Sequence, residues 1–187
     1  VHWRSEESIL HEAQLLTSHP AFKGYITDAG GPSANMYGYE CRKKLEHGAC
    51  PDKRCIYPVV CKALKPDHSR QTRLLQKMRK IPGIKKIFVS SGIRYDLIFD
   101  DQKHGDSYLA EIVQHHVSGQ LKIAPEHTIK KVLDHMGKPA GEQLTRFKDA
   151  FYELSAAAGK KQFLTYYLIA AHPGCTEADM NGLNQYF

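Results

Sequence analysis

Four short apolar runs in this chain each break off into glycine, proline or small polar residues. They read YITDAGGPS from Tyr25, IFVSSGIR from Ile87, LKIAPEHT from Leu121 and FLTYYLIAAHPGCT from Phe163. The stretches between them have helical spacing. SEESILHEAQLLT, residues 5–17, sets a serine and acids ahead of periodic apolar positions, a capped helix start. DHSRQTRLLQKMRKIPGI is a helix capped at Asp67 or Ser69 and stopped by Pro82–Gly83, and SYLAEIVQHHVSG is one closed by Gly119. Helical runs follow from about Thr128 to Met136, over AGEQLTRFKDAFYELSAAAG, and from TEADMNGLNQYF. The order is α-β-α-β-α-β-α-β-α. Apolar runs without polar alternation predict strands buried on both faces of a parallel sheet with helical crossovers.

That order locates the chemistry. In parallel α/β folds the loops at the carboxyl edge splay open and helix N-termini face the crevice, so ligands bind there. Gly30 and Gly31 end the first run, where bare backbone either admits a ligand closer than a Cβ permits or makes a tight turn. Four strand ends of this kind in one chain favour the ligand platform. Arg94, Glu126, His172 and Gly174 stand at or just beyond the other three ends. Each has a plainer role as well: a rim salt bridge for Arg94, a helix cap for Glu126, turn chemistry for His172.

The 187 residues suffice for one domain with a real core, and 42% hydrophobic with 25% charged residues is ordinary globular composition. No apolar run approaches the roughly 20 residues of a membrane-spanning helix, and the amphipathic N-terminus is no signal peptide. A net charge of +6 permits a polyanionic partner without demanding one. Of five cysteines, Cys41, Cys50, Cys55 and Cys61 fall in an irregular insert, residues 33–66, separated by eight, four and five residues. In a reduced, cytoplasmic setting such thiols suggest an iron–sulfur cluster or zinc rather than disulfides. Ordinary loop thiols are the alternative. Cys175 reads as a buried turn residue.

The motifs DAGGPSANMYG, SSGIRYDL, LKIAPEHT and IAAHPGCT together resemble the radical S-adenosylmethionine (SAM) superfamily, and more narrowly its YgiQ-type proteins. The resemblance implies a partial parallel (βα) barrel carrying the cysteine insert. It further implies SAM bound beside a 4Fe-4S cluster, reductive cleavage to methionine and a 5′-deoxyadenosyl radical, and an electron donor such as flavodoxin or ferredoxin. By position, Gly30 and Gly31 match the motif that receives the methionine amino end. Glu126 matches a carboxylate near the ribose or methionine, and His172, Pro173 and Gly174 match a turn near adenine. Arg94 is placed to pair a carboxylate through its planar fork. The superfamily's C-x3-C-x2-C loop does not occur in the sequence, so the chain is expected to be a piece of a longer protein and inactive alone. The substrate is unspecified; RNA is one possibility. The rival reading is a metal-stabilised module binding RNA or protein, with tyrosines and cations of the insert at its surface.

Overall fold

The computed structural model describes residues 3–30, 35–139 and 141–187. Helix α1 (Glu6–Thr17) starts where Ser5 Oγ accepts the Ser8 N–H at 3.2 Å. Strand β1 (Tyr25–Ile26) follows, then α2 (Arg42–His47) and α3 (Ser69–Arg79), and β2 (Lys86–Ile87). Next come α4 (Tyr95–Asp100) and α5 (Gly105–Glu111), which widens into a π-helical turn over Ile112–His116. Strand β3 (Gln120–Glu126), α6 (Lys130–Met136), α7 (Glu142–Ala157), β4 (Phe163–Leu168) and α8 (Glu177–Tyr186) complete the order. The Thr176 hydroxyl and the Asp179 carboxylate open α8 with a capping box.

All strand pairing is parallel. β1 pairs with β2, Tyr25 opposite Lys86 and Ile26 opposite Ile87, and the ladder runs on through Ala29 N–H to Phe88 O at 2.7 Å. β3 pairs with β4 from Gln120–Phe163 to Ile123–Tyr166. A single bridge, Ile93 to Ile123, and the Val89 N–H bond to His116 O join the two pairs. The strands form two parallel pairs, β1-β2 and β3-β4, bridged beyond β2 by Ile93, and no closed barrel forms among the described residues.

Burial on both faces is corrected. β3 alternates, with Leu121 and Ile123 buried and Gln120 and Lys122 exposed. On β4 Leu164 is buried, while Phe163 and Tyr167 face outward, each 60% exposed. β3 thus shows the period of a half-buried strand, and β4 is mostly outward-facing.

The core gathers Leu74, Leu75 and Met78 of α3, Ile87, Tyr108, Ile112, Leu121, Ile123 and the Phe147–Phe151 face of α7. The insert is not wholly irregular. It contains α2, and Tyr39, Cys41 and Leu64 form a small apolar cluster with Leu97 of α4. Ser33 and Ala34, where the insert was expected to begin, lie outside the described residues. Helix α4 was not expected from the sequence; six residues, YDLIFD, are too few for a periodic signal.

Candidate functional site

A proline creates the site's central irregularity. Pro125 in β3 has no N–H for the ladder, and the register slips there: Ile123 faces Tyr166, yet Glu126, three residues on, faces Leu168, two residues on. The extra residue is a bulge. Glu126 leaves it at φ +65, a conformation that non-glycine residues seldom hold, fastened by Ile169 N–H to Glu126 O at 2.8 Å.

Helix α6 supplies the partner. It ends at Gly137, φ +69, with Gly137 N–H bonded to Asp134 O and Lys138 N–H to Leu133 O. That turn sends Lys138 back over the bulge, where Nζ lies 2.8 Å from Glu126 Oε1 and 3.1 Å from Ala124 O. Glu126 caps no helix; α6 starts beyond it, and the His127 ring Nδ1 accepts the Ile129 N–H at 3.0 Å.

Residues Ser91 to Asp96 form the opposite wall of a cleft of about 480 Å³, with Ala124, Glu126, Lys138 and Pro139 across from them. Arg94 is held at one edge by Asp96: Nε donates to Oδ1 at 2.8 Å and Nη2 donates to Oδ2. Burial lowers the Arg94 pKa, but the hydrogen bond and charge of Asp96 outweigh it and raise the value, keeping the guanidinium charged. Arg94 and Glu126, read from two different strand ends, therefore share one cleft.

Gly30 stands beside this cleft rather than in it. A Cβ there would come within 2.9 Å of Ser91 Cβ and Oγ, and Ser91 lines the cleft. Asp28 locks the junction, its Oδ1 accepting the Ser90 N–H at 2.9 Å and the Ser91 N–H at 3.2 Å, and its Oδ2 the Ser91 hydroxyl. Gly30 itself opens onto a second, more apolar pocket of about 330 Å³ between α1 and α3. Gly31 lies outside the described residues.

His172 and Gly174 are not brought to the cleft. His172 Nδ1 sits 2.9 Å from Pro173 O within its own turn, and Gly174, φ +84, packs against the His135 ring of α6. The neighbouring Cys175 Sγ lies 3.7 Å from His127 Nε2.

The cysteines are free thiols: Cys41 buried, Cys61 half-buried, Cys50 and Cys55 exposed. Cys175, expected to be buried, is half-buried. Among the described residues no three of His, Cys, Asp and Glu gather in a metal-holding group. Cys41 contributes instead to the insert's apolar cluster.

Sequence reading missed Asn35, His68, Asp96 and Asp101, all buried. The Asn35 amide bonds Arg94 and His68, and His68 bonds Asp101. Separations of 33 and 59 residues leave no periodic trace of these contacts. Arg94-x-Asp96, an acid two residues after the arginine at a helix start, was the one local hint.

With this geometry in view, the chain is similar to proteins named UPF0313. It is 57% identical over 183 residues to one from Fusobacterium nucleatum, 98% of this chain and 32% of that protein. To others from Clostridium perfringens and Methanosarcina mazei it is 49% and 47% identical, again over 98% of its length. The chain spans about a third or less of the length of these curated relatives. No family model matches it. No solved structure matches it significantly. Among the described residues no helix is long and apolar enough to cross a membrane.

Proposed function

We infer that this chain is part of a radical SAM iron–sulfur enzyme, folded as part of a parallel (βα) barrel, and that its cleft receives the methionine end of SAM. The meeting of Arg94 and Glu126 across one cleft, at the carboxyl ends of parallel strands, is the observation that carries this reading. An α-amino acid group has one carboxylate and one ammonium. The cleft is lined by the Arg94 guanidinium and the Lys138 ammonium for the first and by the Glu126 carboxylate for the second, each already held by a neighbour. A volume of about 480 Å³ is ample for an amino acid and part of a nucleoside. The donor set and the space fit the cofactor.

When bound beside a reduced cluster, SAM supplies the radical chemistry. This chain's residues bind and orient it. Asp28 and Ser91 stiffen the rim, Asp96 aims Arg94, and the bulge at Pro125 presents Glu126. Similarity to UPF0313 proteins is compatible with the reading, although their names state no activity. The substrate, and a flavodoxin or ferredoxin as electron donor, belong to the longer protein.

The test uses that longer protein, reconstituted anaerobically with iron and sulfide, then given dithionite and SAM. Equal amounts of 5′-deoxyadenosine and methionine are expected. Neither product from cluster-loaded protein overturns the reading.

A further inference from the structure

We propose that Asn35 is a positioning residue for the cleft, and that the buried chain Asp101–His68–Asn35 holds Arg94 through its main chain. The inference rests on the reading of the cleft given above, but its geometry stands separately. Asn35 Oδ1 accepts the Arg94 N–H at 2.8 Å, and Asn35 Nδ2 donates to Arg94 O at 2.9 Å. One carboxamide therefore grips both polar groups of one residue, which fixes which side of the amide is nitrogen.

The second Nδ2 hydrogen points at His68 Nε2, 3.1 Å away, so that nitrogen is the acceptor and bears no proton. The proton sits on Nδ1, which donates to Asp101 Oδ2 at 2.8 Å. The same Oδ2 takes the His68 main-chain N–H at 2.7 Å, while Oδ1 takes the His104 N–H at 2.9 Å. Every donor meets an acceptor in one order only, Asp101 to His68 to Asn35 to Arg94. Asn35 and His68 have no exposed surface, so water cannot replace a lost partner. Asp67 and His104 are the other titratable groups that His68 feels, and the rings of Tyr108 and Tyr39 cover it.

Arg94 lies just before α4 with an extended main chain, φ −86 and ψ 93. Nothing helical fixes it there. The Asn35 grip sets where the side chain starts and Asp96 sets where it ends, so the guanidinium reaches the cleft in one orientation.

The experiment takes the longer protein with Asn35→Ala, Asn35→Asp, Arg94→Ala and the double change Asn35→Ala/Arg94→Ala. Hydrogen exchange of the segment holding Arg94 is measured beside SAM affinity. Asn35→Ala should speed Arg94 amide exchange about tenfold and weaken SAM binding about tenfold, as expected for one buried hydrogen-bond pair, while α7 keeps its protection. Asn35→Asp retains an acceptor for the Arg94 N–H and should restore most of the amide protection. In the Arg94→Ala background, removing Asn35 should cost little more affinity. Unchanged Arg94 exchange, or losses that simply add, overturns the proposal. If the unaltered protein binds no SAM, the cofactor reading falls, and the exchange results alone decide the role of Asn35.

Discussion

Glu126 Oε1 and Lys138 Nζ meet at 2.8 Å although Glu126 must adopt φ +65 to make the contact. A left-handed non-glycine residue costs about 1–2 kcal/mol, so the position trades stability for placement. Both Glu126→Gly and Glu126→Ala lose the ion pair, but only glycine relieves the strain, so Glu126→Gly should melt higher than Glu126→Ala. SAM affinity of the longer protein should fall in both variants. Paired melting curves and titration calorimetry read the two effects separately, and a Glu126→Gly variant with unchanged affinity would remove Glu126 from the site.

Acid should loosen the fold through its buried and half-buried histidines. Burial pushes the pKa of His68 below the ordinary 6.5, and His115, His116 and His127 shift the same way for the same reason. A depressed folded value means that the unfolded chain takes the proton first. The stability these residues contribute is therefore present above about pH 6.5 and lost as pH falls below it. For Asp101, burial raises the pKa, but hydrogen bonds from the His68 main chain and ring and from the His104 main chain hold it low; its contribution is lost only in stronger acid. The melting temperature should drop on acidification below about pH 6.5, and His68→Asn should flatten that slope.

Phe147 links the core to the cleft wall. It is fully buried, with its ring centroid 5.6 Å from that of Tyr95, which lines the cleft, and 6.3 Å from Phe151. Phe147→Ala should cost about 3–5 kcal/mol in urea unfolding, and Phe147→Leu distinctly less. A cost for Phe147→Ala below about 1 kcal/mol would contradict this packing.

Thiol reactivity reads the insert directly. In the native chain, a disulfide reagent should modify Cys50 and Cys55 first, Cys61 and Cys175 more slowly, and Cys41 only on unfolding. If the longer protein closes a metal site over the insert, Cys50 and Cys55 should be shielded and at least one equivalent of iron or zinc bound. Under half an equivalent, with both thiols reactive, would leave the insert without a four-thiolate centre.

The alternation of helices with apolar runs and the cap at Ser5 were legible in the sequence, because each is enforced by neighbours a few residues away; the helix read as capped at Asp67 or Ser69 instead has His68 at its cap position. Parallel pairing followed from that order. Arg94 and Glu126 were legible as residues at strand ends, since the carboxyl edge is where this arrangement exposes backbone and helix starts. Burial on one face was written in β3, where Gln120 and Lys122 alternate with Leu121 and Ile123; it was hidden in β4, where the outward Phe163 and Tyr167 are themselves apolar.

What the local sequence determined, then, was the set of elements, their direction and the edge on which chemistry can sit. Tertiary structure alone decided that Pro125 would break the ladder and turn Glu126 toward Lys138, and that Gly174 and His172 would face α6 and their own turn instead of the cleft. It alone threaded Asn35, His68 and Asp101 into one buried hydrogen-bonded line. The reason is range. Capping and periodicity act within a turn or two of chain, while a buried donor finds its acceptor only after the segments between them have folded and excluded water.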